Sequence, residues 1–425
     1  MPDRFFQKNK MNKSSSKNKF NKNSSISINK NGRVYLDYAA ATPVQPDVHQ
    51  FIRPFAGENF GNPSAIYLEG RIAKQALEQA RETVAKNLNC QSHEIIFTNG
   101  GTESINLAIF GIARAYKKFF TKPRLITSQI EHPAVLNSMA QLAKEGFDVK
   151  YVATNKYGEV SLEELKKYLN PQTILVSIMY ANNEIGTIQP IAEISAIIKN
   201  YRKNKYLPFF HTDACQAANY LNLDVKHLGV DFMTLNGGKI YAPKASGVLY
   251  KKSGLSIDPI ILGGGQEKNL RSGTENLASW IGLAEALKLA QQEKNSEIKK
   301  IKKLRDYLQK SILKIPQTVL NGHPQKRLPN NINVIISGIE GEALILELDK
   351  AGIAASTGSA CHSHSLEPSH VLKSLGWSRE KIHGSLRLTL GKYTTKKEID
   401  YVIKTLPQIV NKLRSLSAIN IEHHK

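Results

Sequence analysis

From residue 34 onward, short apolar runs alternate with longer stretches of helical periodicity, and this alternation limits the folds open to the chain. The strand-like runs are Glu94–Thr98, Arg124–Ser128, Thr173–Met179, Phe209–Thr212 and Phe232–Thr234, while Ala73–Leu88 and Thr102–Tyr116 read as helices. Apolar runs this short, separated by helices, predict β-α units around a largely parallel sheet, an α/β fold. A long charged helical stretch follows at about Leu277–Ile315. Beyond it come a strand at Asn331–Ile336, a helix at Gly341–Ala351, a loop, and a strand at Ser385–Leu390. This later part predicts a smaller α+β domain. No internal repeat is visible.

The chain has 425 residues, enough for two or three domains, and its 41% hydrophobic and 22% charged residues are ordinary for a globular protein. No apolar run reaches the roughly eighteen residues of a membrane span, and no signal-peptide core opens the chain. Residues 1–32 are mostly Lys, Asn and Ser. Through Arg33 they hold nine Lys/Arg against Asp3 alone, so +8 of the net +22 lies there and +14 on the body. Such a leader buries too little to offset chain entropy and is expected to be disordered. Cleaved organelle leaders are richer in arginine and amphipathic, so the cytoplasm is expected, with an organelle matrix as the alternative. The basic body suits either a solvated surface or attraction of nucleic acid and acidic proteins. Three cysteines, Cys90, Cys215 and Cys361, make no disulfide framework and point to a reducing compartment.

Four segments are candidates for chemistry, since open α/β sheets bind ligands at the carboxyl ends of their strands. In Thr98-Asn99-Gly100-Gly101-Thr102, paired glycines before a helix offer an anion backbone amides and a positive dipole end, and Thr102 adds a hydroxyl. In His211-Thr212-Asp213-Ala214-Cys215-Gln216, Asp213 either pairs with a protonated ring nitrogen or caps a helix. In Asn236-Gly237-Gly238-Lys239, a desolvated Lys239 would lose proton affinity and become free for Schiff-base chemistry. The alternative is a lysine snorkelling at the surface. In Ser356-Thr357-Gly358-Ser359-Ala360-Cys361-His362-Ser363-His364, small residues make an accessible loop in which a cysteine suits reaction rather than packing. His362 and His364 would support its thiolate or join it in a metal site, but no second cluster completes four ligands, and no metal is expected.

The order of Tyr35-Leu36-Asp37, Gly61-Asn62-Pro63-Ser64, the Gly-Gly-Thr-Glu turn, Glu131-His132-Pro133, Ala181-Asn182-Asn183-Glu184, Thr212-Asp213, Lys239, Arg271-Ser272-Gly273-Thr274-Glu275-Asn276 and Gly358-Ser359-Ala360-Cys361 resembles cysteine desulfurases of the class V aminotransferase group. The likeness runs over about residues 33–415. It implies pyridoxal-phosphate fold type I: a large domain with a mostly parallel seven-stranded sheet at 47–294, and a small domain from 33–46 and 295–418 carrying the cysteine loop. It implies pyridoxal 5'-phosphate bound covalently to Lys239, Asp213 on the pyridine nitrogen, His132 stacked on the ring and assisting proton transfer, and Gln216 on the ring oxygen. Gly101, Thr102 and Asn236 would hold the phosphate, with Thr274 contributed by the partner of a homodimer. Asn183 and Arg387 match positions that bind the substrate carboxylate. Lys239 or His132 would remove the α-proton, and Cys361 would take sulfur from L-cysteine, leaving L-alanine.

Relatives carry Ser-x-His-Lys where this chain has Asn236-Gly237-Gly238-Lys239. The resemblance therefore implies weaker cofactor retention or a compensating donor elsewhere. Two other readings compete: another class V activity such as selenocysteine lyase, and a sulfur-transfer scaffold that binds acidic carrier or iron–sulfur assembly proteins, or tRNA. The loop cysteine opposes the first, and Lys239, Asp213, His132 and Cys361 together oppose the second. No membrane partner is expected, and the sulfur acceptor, whether iron–sulfur assembly or tRNA thiolation, is not legible.

Overall fold

A computed structural model describes residues 32–203, 205–358 and 368–416. The basic leader, the cysteine loop with Cys361, His362 and His364, and the C-terminal end lie outside them. Twelve strands run along the described residues: β1 (Val34–Tyr35), β2 (Ile95–Thr98), β3 (Arg124–Ser128), β4 (Asp148–Val152), β5 (Thr173–Ser177), β6 (Phe209–Asp213), β7 (Phe232–Asn236), β8 (Gly247–Lys251), β9 (Thr318–Leu320), β10 (Asn331–Ile336), β11 (Ile353–Ala354) and β12 (Ser385–Thr389).

Seven of them form one sheet in the order β2-β8-β7-β6-β5-β3-β4. All its neighbours pair in parallel except β8, which is antiparallel to both β2 and β7. The strands β2, β5 and β6 are buried along their whole length, as helices on both faces of a parallel sheet require. Two hydrophobic clusters, one centred on Phe210, Met233 and Trp280 and the other on Phe209, Phe232 and Leu175, pack the two faces. They explain why the sequence runs there are apolar without alternation.

The edge strands need other partners for their backbone. At β2, the Arg81–Glu267 ion pair supplies them: Glu267 accepts from the Phe97 N–H at 2.7 Å and Arg81 donates to the Ile95 carbonyl at 2.9 Å. Both charges are themselves buried, and they pair at 2.6 and 2.9 Å. Beside β2, the Trp280 ring stacks on Phe97 at 5.3 Å and its indole N–H donates to the Thr98 carbonyl. The strand that carries the glycine turn is therefore fixed on both sides.

A smaller antiparallel sheet, β12-β10-β9, and the parallel pair β1-β11 make the α+β part around a separate cluster that includes Leu36, Val334, Leu388 and Val402. The long helix Leu277–Ile312 spans about 54 Å at 1.5 Å per residue. Its first half packs in the large-sheet core through Trp280 and Leu283, and its second half packs in the small one through Ile301 and Leu308. The boundary expected at residue 294 falls inside this unbroken helix.

Candidate active site

Since β2 and β7 both run antiparallel to β8, every strand of the large sheet except β8 points its carboxyl end to one edge. There β2 delivers Gly100-Gly101-Thr102, β6 delivers Asp213, and β7 delivers Asn236 and Lys239. Behind β3 stands His132, and behind β5 stands Asn183. Gly101, Thr102, His132, Asn183, Asp213, Gln216, Asn236, Lys239 and Arg387 all line one cavity of about 440 Å³. Of the residues expected at the site and described, Thr274 alone lies off this cavity, and it is exposed. Gly358, three residues before Cys361, is on the cavity wall.

The glycine turn is built as its sequence requires. Gly100 has φ of 144°, a conformation that disfavours side chains, and the 17-residue helix Gly101–Lys117 starts directly after it. A Cβ at Gly101 would stand 2.9 Å from Cys215 Sγ, so a side chain would collide there, and the first residues of the helix, Gly101 and Thr102, line the cavity. Asn236 accepts the Gly238 N–H through Oδ1 at 3.0 Å. Its Nδ2 lies 3.5 Å from that same Cβ position of Gly101, which turns an amide donor toward the cradle.

Lys239 is half-buried, and its Nζ donates to the Ala40 carbonyl at 2.6 Å. Gln216 Nε2 donates to the Ala39 carbonyl at 3.0 Å. The strip Ala39–Ala41 thus forms a wall tied to both. Asp213 accepts the Cys215 N–H at 2.9 Å, but a turn and not a helix follows it, so the carboxylate closes a local turn at the cavity wall and the helix-cap alternative does not hold. His132 caps the helix Pro133–Lys144: its Nδ1 accepts the Ala134 N–H at 3.1 Å. That bond leaves Nε2 as the protonated nitrogen of the neutral ring. Burial lowers the ring's pKa, and nearby Asp213 opposes the shift.

Arg387 is the most constrained member. Its Nη1 donates to the Asn183 and Gly358 carbonyls at 3.0 and 3.1 Å, and its Nη2 to Asp37 at 2.8 Å. Its Nε is buried with no partner among the described residues. Burial raises the pKa of Asp37, while Arg387 pulls it down.

Three groups around this site carried no assigned role in the sequence. Glu131 is buried and accepts from the Ser128 hydroxyl at 2.5 Å and the Met179 N–H at 2.9 Å; burial pushes its pKa up to about 8. Glu184 accepts the Ser369 hydroxyl at 2.6 Å and lies 3.2 Å from where a Gly358 side chain would begin, so one carboxylate stands at both described ends of the cysteine loop. Asp37 holds Arg387. All three sit in motifs quoted above, beside His132, Asn183 and Leu36. The signal was present, but nothing local separates a structural carboxylate from a catalytic one.

The model of the aminotransferase class V family matches residues 34–402. The cysteine desulfurase IscS of Methanosarcina thermophila is 48% identical over 395 residues, covering 93% of this chain and 96% of that protein. The cysteine desulfurase IscS of Dictyoglomus turgidum is 48% identical over 386 residues, covering 90% and 96%. Among solved structures, a NifS-like protein superposes with a TM-score of 0.84 at 37% identity, covering 90% of this chain and all of that one. SspA in complex with cysteine matches with a TM-score of 0.73 at 34% identity, covering 85% and all of that chain.

Proposed function

This chain belongs to the aminotransferase class V family, and from that premise we propose that it is a cysteine desulfurase with the pyridoxal-phosphate fold of type I. It removes sulfur from L-cysteine for iron–sulfur cluster assembly. The observation that carries this reading is the convergence of Lys239, Asp213, His132 and Arg387 on one cavity beside the glycine turn, with Gly358 on its wall.

The residues present fit pyridoxal 5'-phosphate. The cavity volume suits a small flat ring, a helix N-terminus with bare glycine backbone suits a phosphate, and Asp213 suits a protonated ring nitrogen. When bound, this cofactor supplies an electron sink that eases loss of the α-proton. Lys239 would hold it covalently, Gly101, Thr102 and Asn236 would hold the phosphate, and Gln216 would hydrogen-bond the ring oxygen. His132, whose pKa burial lowers and whose Nδ1 is engaged, would lie against the ring and move a proton at Nε2. Arg387 and Asn183 receive the substrate carboxylate, the unpartnered Nε being an available donor. Cys361 takes the sulfur as a thiolate. The carbon–sulfur bond of L-cysteine breaks, a sulfur–sulfur bond forms as a persulfide on Cys361, and the carbon gains a proton and leaves as L-alanine.

The working protein is a homodimer in which the exposed Thr274 of each copy reaches the other's phosphate. Residues 47–294 act as the cofactor-binding unit, and residues 33–46 with 295–418 act as the unit that carries the cysteine loop. It works in the cytoplasm and hands sulfur to acceptor or scaffold proteins. No helix among the described residues is long and apolar enough to cross a membrane. Alanine formation from L-cysteine, with Cys361→Ser and Lys239→Ala as controls, tests the proposal. Both variants should lose sulfide release, and Cys361→Ser should keep the cofactor's absorbance. Wild-type sulfide release by Cys361→Ser would refute the role of Cys361.

A further inference from the structure

A second, more open cavity of about 640 Å³ adjoins the first and shares Gly101, Thr102, Asn236 and Lys239 with it. Gly238 and Lys244 also line it. Its acid, Glu103, is already engaged, accepting from Arg271 at 2.9 Å and from the Asn99 N–H at 3.1 Å. Lys239 is the amine of the reaction and donates to Ala40. Lys244 is exposed and has no hydrogen bond or ion pair among the described residues.

The space beside Gly238 is open. A Cβ built there meets nothing nearer than Asn236 Oδ1 at 3.5 Å and Lys244 Cγ at 3.9 Å. The lysine stem therefore flanks a vacancy that directly borders the anion cradle. A phosphate monoester carries nearly two negative charges at neutral pH, whereas the cradle's own donors are backbone amides, the Thr102 hydroxyl and the Asn236 amide, all uncharged. A flexible ammonium suits this place as a point charge.

We propose that Lys244 is a phosphate-binding residue of the cofactor site, its ammonium occupying the space that Gly238 leaves open and neutralising the anion held at Gly101 and Thr102. This assignment rests on the cofactor reading above.

The test is titration of cofactor-free protein with pyridoxal 5'-phosphate and, separately, with pyridoxal, which lacks the phosphate, followed by absorbance. Lys244→Met should weaken binding of the phosphate ester about tenfold or more, as loss of a charged hydrogen bond implies, and leave pyridoxal binding unchanged. Lys244→Arg should retain most of the affinity. Adding Gly238→His to Lys244→Met should restore part of it, since the space accepts a ring. Inorganic phosphate should compete less well against pyridoxal 5'-phosphate in Lys244→Met than in the wild type. Equal affinity of Lys244→Met and wild type for the phosphate ester would overturn the assignment, as would a parallel fall for both aldehydes. A wild-type protein that takes up neither aldehyde would overturn the cofactor reading and this assignment together.

Discussion

Replacing Glu131 with Gln should make the protein less sensitive to alkaline pH. The Glu131 carboxyl is 1% exposed, its Oε1 accepts two hydrogen bonds, and its Oε2 is buried without a partner among the described residues. That environment favours a neutral acid with its proton on Oε2, and burial raises the pKa from 4.5 to about 8. A carboxyl whose folded pKa is raised contributes its full stability below the unfolded pKa and loses it as pH rises through the folded one. At about 1.4 kcal/mol per pH unit, the loss is roughly 2 kcal/mol at pH 6 and nearly 5 kcal/mol at pH 9. Glutamine keeps the Oε1 acceptor and cannot ionise. Urea unfolding of wild type and Glu131→Gln at both pH values isolates this group, because every other titrating residue is common to the two. The stability of the variant relative to wild type should improve by about 3 kcal/mol between pH 6 and pH 9. A difference that is the same at both pH values would refute the neutral buried acid.

Asp37→Asn should raise KM for L-cysteine about tenfold or more with kcat nearly kept, since it removes roughly 1.5 kcal/mol or more of charged hydrogen bonding that holds Arg387; steady-state kinetics with an unchanged KM would refute it. Iodoacetamide at pH 7.5 should label one thiol of the native protein, Cys361. Burial pushes the Cys90 thiol up to about 12 and that of Cys215 well above its ordinary value, and comparable labelling of either, read by peptide mass, would contradict this.

The α/β class was legible in the chain because buried strands carry short, mostly apolar runs between helical stretches: β3 has the expected bounds, Arg124–Ser128, and so does β10 of the smaller sheet, Asn331–Ile336. Turn chemistry at strand ends pointed to Gly101, Thr102, Asp213 and Lys239, whereas His132, Asn183, Gln216 and the mid-strand Arg387 were legible only through the family resemblance. In the large sheet β4 and β8 escaped the sequence pattern, and outside it so did the short β1, β9 and β11. In β4, Asp148 and Lys150 are charged because the strand lies at the sheet edge, while β8, though apolar, is enclosed by loops that mask its period. Which distant groups meet follows from the fold and not from local pattern: Asp37 pairs with Arg387 across 350 residues, and Glu184 with Ser369 across 185. Only the fold shows that Gly238 leaves a space flanked by Lys244, since neither a missing side chain nor an exposed lysine has meaning until the backbone sets them side by side.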